Sequence, residues 1–194
     1  MKTQFSKVIQ GCMTWGAWGK QLSKSEMVNL IHHNIECGIT SFDHADIYGD
    51  YTTEIAFGNA FAESKINRES IEIISKCGIQ YVGKTRNNEI KHYQYDAEYI
   101  IWSAEKSIKD LQCEYLDLLL LHRPSPLMHP DEIAKAIEKL TAEGKIKSFG
   151  VSNFTPSQME LVGSKNRIEF NQIEFSLTAH HAMFDGTLDY LFQN

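Results

Sequence analysis

Six short apolar runs, each followed by a stretch with helical spacing, decide what this chain can fold into. The runs are Lys7 to Gly11, Thr40 to Asp43, Ile71 to Lys76, Tyr115 to Leu121, Lys147 to Ser152 and Glu169 to Phe175. Between them, Met27, Leu30, Ile31 and Ile35 recur at three- and four-residue intervals. So do Ile100, Ile101, Ala104 and Ile108, and again Ile133, Ala136, Ile137 and Leu140. This is the period of an amphipathic helix. Ser23-Lys-Ser-Glu26 and Thr155-Pro-Ser-Gln158 spell capping boxes, Asp96 is a single-residue cap, and Gly38 and Gly144 are stops. Further helices are expected from Thr53 to Ala62 and from Gly186 to Asn194. Strands spaced by roughly 25 to 45 residues with a helix between them pair in parallel through right-handed crossovers.

Two α/β architectures use such units. A doubly wound sheet places a Gly-x-Gly-x-x-Gly turn after its first strand, and here Gly11, Gly16 and Gly19 have the wrong spacing. A (β/α)8 barrel places its chemistry at the C-terminal ends of successive strands, where this sequence has its unusual residues. With 194 residues and a barrel's usual ~250, about six of the eight units are expected in one domain spanning 1–194 that is incomplete at its C-terminus.

Composition narrows the partners. The chain is 42% hydrophobic and 23% charged with a formal charge of −6, a globular balance without a basic block. That argues against nucleic acid and against anionic membrane surfaces. The run Leu118 to Leu121 is too short to span a bilayer. Met1 to Gly11 lacks the apolar core and cleavage site of a secretory leader. Cys12, Cys37, Cys77 and Cys113 are scattered, with no pair at metal-ligand spacing, so no metal site is expected and a reducing cytoplasm is the natural compartment.

The strand ends carry complementary groups. Strand two runs into Asp43-His-Ala-Asp-Ile-Tyr48, strand three ends in Ser75-Lys76, and strand four ends in His122-Arg123. A free tyrosine has a pKa of about 10, too high for an efficient proton donor at neutral pH. A nearby ammonium lowers it. An Asp beside the Lys keeps that ammonium charged, and a His on the next strand orients a carbonyl oxygen. Asp43, Tyr48, Lys76 and His122 are therefore expected to deliver a proton to a carbonyl. No side chain supplies a hydride, so an organic cofactor is implied. Ser152, Asn153 and Gln172 suit a carboxamide such as that of nicotinamide.

These motifs resemble the aldo-keto reductase family of NAD(P)H-dependent carbonyl reductases. The likeness runs from Gly11-Cys-Met-Thr-Trp15 through Gly38 to Gly49, Tyr115 to Pro124 and Gly144 to Phe154, to Asn171-Gln172. Its wording is similar to that of a bacterial oxidoreductase subgroup. The resemblance implies Tyr48 as general acid tuned by Lys76 and Asp43, with His122 orienting a small-molecule carbonyl substrate. It also implies NADPH as donor, held at the carboxamide by Ser152, Asn153 and Gln172, with Thr14 and Trp15 lining the mouth. The resemblance further implies an aromatic from strand seven that stacks on nicotinamide and basic groups after strand eight that bind the 2′-phosphate; six strands would lack both and expose two sheet edges, so weak cofactor affinity and lowered solubility are expected. A nucleotide-binding regulatory module, or an inactive fragment, is the alternative on the same fold.

Other residues have plainer readings. His44 and Asp46 are expected to be loop or supporting groups, Asp117 a structural ion pair, and Trp102 a packing residue. Cys77 is expected to be a core thiol. Lys84, Arg86 and Lys91 are expected to form the solvated face of a long loop, Cys77 to Tyr95. Tyr93 and Tyr95 are candidate pocket residues on it, Trp18 is a further candidate for the same substrate wall, and His180-His181 a solvated pair.

Overall fold

Parallel pairing follows from the β-α alternation, and it is what the chain does. The computed structural model describes residues 4–193. Its elements in chain order are β1 (Ile9–Gly11), α1 (Lys24–Glu36), β2 (Ser41–Asp43), α2 (Tyr48–Tyr51), α3 (Thr53–Ser64), β3 (Glu72–Cys77), β4 (Ile79–Gln80), β5 (His92–Tyr93), α4 (Ala97–Asp110), β6 (Leu116–Leu121), α5 (Pro130–Ala142), β7 (Ile146–Ser152), α6 (Pro156–Gly163), β8 (Phe170–Gln172) and α7 (Thr187–Gln193). Asn194, the last residue of the expected final helix, and Met1 to Thr3, the start of the expected leaderless stretch, lie outside the described residues.

Six strands form one parallel sheet in the order β1-β2-β3-β6-β7-β8. The order never reverses, so there is no doubly wound switch point. This is a partial (β/α)8 barrel. Side chains alternate across it. On β3, Ile73 and Cys77 join the large core shared with the helices, while Ile74 meets Leu118 and Leu120 in a smaller cluster. Phe5 and Phe170 pack against that cluster. On the helix side, α1 buries Met27 and Ile31, α4 buries Ile100 and Ala104, and α5 buries Ile133, Ala136, Ile137 and Leu140. Each large aliphatic side chain so buried contributes roughly 1.5–3 kcal/mol.

Local signals start these helices where expected. Ser23 and Glu26 form a complete capping box, Thr155 and Gln158 form another, and the Asp96 carboxylate accepts the Tyr99 N–H at 2.9 Å. Two segments differ from expectation. The Cys77–Tyr95 connection is not one open loop, because β4 and β5 pair antiparallel within it. The sixth parallel strand stops at Gln172 rather than Phe175, and Ser176 instead accepts turn hydrogen bonds from Thr178 and Ala179. Among the described residues, no helix is long and apolar enough to cross a membrane, and no group of three His, Cys, Asp or Glu side chains could hold a metal ion.

Candidate active site

Register places the site before any side chain is considered. Asp43 pairs with Ile74, so Lys76 lies two residues further along β3 on the same face. The ladder then continues past the strand ends. His44 N–H donates to Ile74 O at 2.9 Å, Asp46 N–H to Lys76 O at 3.0 Å, and His122 N–H to Cys77 O at 2.9 Å. Residues 43–46 and 122 are thus held against β3 at one end of the sheet.

Lys76 is the hub. Its ammonium donates to an Asp43 carboxylate oxygen at 2.8 Å, to His44 O at 2.8 Å and to the Tyr48 hydroxyl at 3.0 Å. These are the three hydrogen bonds that an ammonium can donate. The Lys76 side chain is 2% exposed and that of Asp43 12%. The other Asp43 oxygen accepts from the Gln172 amide at 3.1 Å, joining the first and last parts of the site. The Tyr48 and His122 rings lie 6.0 Å apart, nearly perpendicular. Asp43, Tyr48, Lys76, His122, Ser152, Asn153 and Gln172 line one open cleft of about 320 Å³, together with Arg123, Ile173 and Glu174.

Burial governs the protonation states. Burial raises the Tyr48 pKa above that of a free phenol, against the lowering by Lys76. This corrects the expectation that Lys76 leaves a net lowered value: the ammonium is adjacent, but desolvation of the phenolate outweighs it. Burial, reinforced by Lys76, Arg123 and Lys91, pushes His122 down to about 2. Its imidazole is neutral. His44 is pushed down to about 3 by burial and Lys76, and its ring lies edge-on to Phe57.

The carboxamide candidates are arranged on β7 and β8. Ser152 pairs with Gln172 across the ladder. Ser152 Oγ accepts from Arg123 Nη1 at 2.9 Å and from the Asn153 amide at 3.2 Å. Asn153 adopts a left-handed backbone, φ 56°, and its side-chain oxygen accepts Glu174 N–H at 2.8 Å. Amide and hydroxyl groups of this kind, gathered beside Tyr48, fit the carboxamide of a nicotinamide.

Several expectations need correction. Trp15 does not line the mouth: the residue is 4% exposed and its indole packs against Phe42 and Phe57. The turn after β1 folds this indole inward, where the core rewards its area. Thr14 is exposed on that turn, its carbonyl taking Lys20 N–H, and does not line the cleft. Tyr95 is buried, with its hydroxyl on Arg123 O, and Tyr93 stands exposed on β5. Neither lines the cleft. Of the candidate wall residues, Trp18 lies beside Tyr48, with ring centres 6.3 Å apart, and Tyr81 lies 5.1 Å from Trp18.

Arg86 is not part of a solvated face. Its side chain is 11% exposed. The guanidinium lies 3.7 Å from the centre of the Tyr51 ring and 4.8 Å from that of Trp102. It donates to Tyr99 Oη at 2.9 Å and pairs with Asp46 at 3.4 Å. Asp46 also accepts from Tyr99 and Ser103, and burial raises its pKa to about 6 despite Arg86. His44 and Asp46 therefore support the site from within the core. Cys77 is a buried thiol whose pKa burial raises well above the ordinary value.

The turn that follows Tyr48 is unusual. Gly49, Asp50 and Tyr51 all have left-handed φ, at 61°, 55° and 65°. A side chain at Gly49 would meet Thr53 Oγ1 at 2.5 Å. For a residue such as Tyr51 this conformation costs about 1–2 kcal/mol. It persists only where surrounding contacts outweigh it.

This chain is similar to Oxidoreductase YdhF of Escherichia coli, with 44% identity over 98% of the chain and 63% of that protein. It is 43% identical to the oxidoreductase YcsN of Bacillus subtilis, over 96% of the chain and 62% of that protein. The chain therefore spans a little over three-fifths of the length of these curated relatives. Among solved structures, a glycerol dehydrogenase from Gluconobacter oxydans superposes with a TM-score of 0.86 at 28% identity, covering 100% of this chain and 58% of that one. The sheet order, the cleft at its C-terminal end and a match of residues 7–194 to the aldo/keto reductase family model together lead to one conclusion: the chain belongs to the aldo/keto reductase family.

Proposed function

We propose that this protein is an NADPH-dependent oxidoreductase that reduces a small aldehyde or ketone to an alcohol, with Tyr48 as general acid. The observation that carries the reading is the contact of the Lys76 ammonium with both Tyr48 Oη, at 3.0 Å, and Asp43, at 2.8 Å, on the wall of an open cleft. The family relation supports the class of reaction. Free cysteines, three of them buried, fit a reducing cytoplasm.

The chemistry follows from the groups present. A reduced nicotinamide, when bound, supplies the hydride to the carbonyl carbon. Tyr48 donates its proton to the carbonyl oxygen. The phenolate left behind is stabilised by Lys76, whose charge Asp43 balances. Because burial raises the Tyr48 pKa, the acid stays protonated through neutral pH. Neutral His122 hydrogen-bonds the same oxygen without competing for the proton. Ser152, Asn153 and Gln172 would hold the nicotinamide carboxamide through their hydroxyl and amide groups.

Tyr48→Phe tests the assignment. Turnover of reduced nicotinamide against a panel of aldehydes and ketones is expected to fall by about 10²–10⁴-fold, the usual worth of a positioned acid, while cofactor binding by fluorescence titration is retained. Undiminished turnover removes Tyr48 from the role. Tight NADPH binding by the unaltered protein with no turnover across the panel favours a nucleotide-binding regulatory module instead.

A further inference from the structure

The segment between β4 and β5 is tied to the Tyr48 turn at two separate points. The Asp50 carboxylate accepts Lys84 N–H at 3.3 Å and the Thr85 hydroxyl at 3.1 Å. The Tyr51 hydroxyl accepts Tyr81 N–H at 2.8 Å. Asp50 and Tyr51 are two of the three consecutive left-handed residues of that turn. Arg86 then lies over the Tyr51 ring at 3.7 Å and is anchored behind it by Asp46 and Tyr99. A cation held between aromatic faces and a buried carboxylate is a strong fixture. The same segment carries Tyr81, which meets Trp18, which meets Tyr48.

We infer that Arg86 is a positioning residue that latches this segment onto the Tyr48 turn and thereby sets the aromatic pair Trp18 and Tyr81 against the Tyr48 ring. Arg86 touches neither the Tyr48 hydroxyl nor Lys76. It acts through Tyr51, and its effect falls on how a carbonyl substrate is seated rather than on the proton step. The consequence for catalysis rests on the carbonyl-reductase reading; the latch itself does not.

The test separates the two. Amide hydrogen exchange is measured on the unaltered protein and on Arg86→Met, Arg86→Lys and Asp50→Ala. Arg86→Met and Asp50→Ala are each expected to speed exchange of residues 81–86 at least tenfold, with β3, β6 and α5 unchanged and Arg86→Lys intermediate. Asp50→Ala leaves the buried Arg86 cluster intact, so it keeps the proposal testable if Arg86→Met fails to fold. Unchanged exchange at 81–86 in Asp50→Ala and Arg86→Lys, or equal acceleration throughout the sheet in both, overturns the latch. These readouts need no turnover, so they decide the latch even if the carbonyl-reductase reading fails. With turnover, Arg86→Met is expected to raise KM for the carbonyl at least tenfold, change kcat less than threefold and leave KM for the cofactor within twofold. A fall in kcat with KM unchanged would overturn the positioning role.

Discussion

Two buried ion pairs sit at opposite ends of the same strands, and they behave differently. At one end Asp117 accepts from Arg68 at 2.7 Å, from Lys147 at 3.0 Å and from Ile73 N–H at 2.9 Å. Arg68 also donates to two backbone carbonyls and lies over the Tyr115 ring. At the other end Lys76 pairs with Asp43 just as closely. Its remaining partners are a carbonyl and the Tyr48 hydroxyl, a group that can lose a proton. The ion pair itself is common to both ends. A third partner with a movable proton, placed on an open cleft, is what distinguishes this end from a structural brace.

Breaking each end should therefore give opposite signatures. Tyr48→Phe at the cleft is expected to have the largest effect on turnover, about 10²–10⁴-fold, and to shift the urea midpoint little. Asp117→Ala at the closed end should do the reverse. It strands the buried Arg68 charge, and removing one partner of such a pair costs about 3–5 kcal/mol, read by urea unfolding. Equal losses of stability at the two ends would dissolve the contrast.

A third buried carboxyl sharpens it. Glu54 is held by two hydroxyls, Ser75 at 2.6 Å and Ser107 at 2.9 Å, rather than by a cation. Burial lifts its pKa from 4.5 to about 7. The folded state then binds more protons than the unfolded one between those values, so this group's contribution to stability is lost as pH rises from 4.5 to 7. The loss is about 3 kcal/mol at most. Glu54→Gln should be more stable than the unaltered protein above pH 7 and no more stable at pH 4, in urea titrations at the two pH values. Smallest of all is Lys147→Met. That side chain is 48% exposed, and with Arg68 still paired the expected cost is under about 1 kcal/mol, measured the same way.

Much of this was legible in the sequence because each element carries its own signal. Capping residues and helical stripes locate α1, α4, α5 and α6, and the polar groups at apolar strand ends locate Asp43, Lys76 and His122. Arg86 was not legible. A cation in a polar loop looks solvated until the fold brings Tyr51, Tyr99 and Trp102 around it. Trp15 was misplaced for the converse reason, since a glycine-rich turn after β1 does not reveal which way its indole folds. For Tyr48 the sequence shows the neighbouring ammonium but not the burial that outweighs it.

The strand order has a consequence for how the molecule is assembled. Neighbours in the sheet are successive parallel strands in the chain, so each β-α unit can dock on the one made before it during synthesis. Asp43, Tyr48 and Lys76 belong to the first three of these strand units, and His122, Ser152 and Gln172 to the later three. The proposed acid and its ion pair are thus encoded in the first half of the sheet, and the groups that face them in the second half.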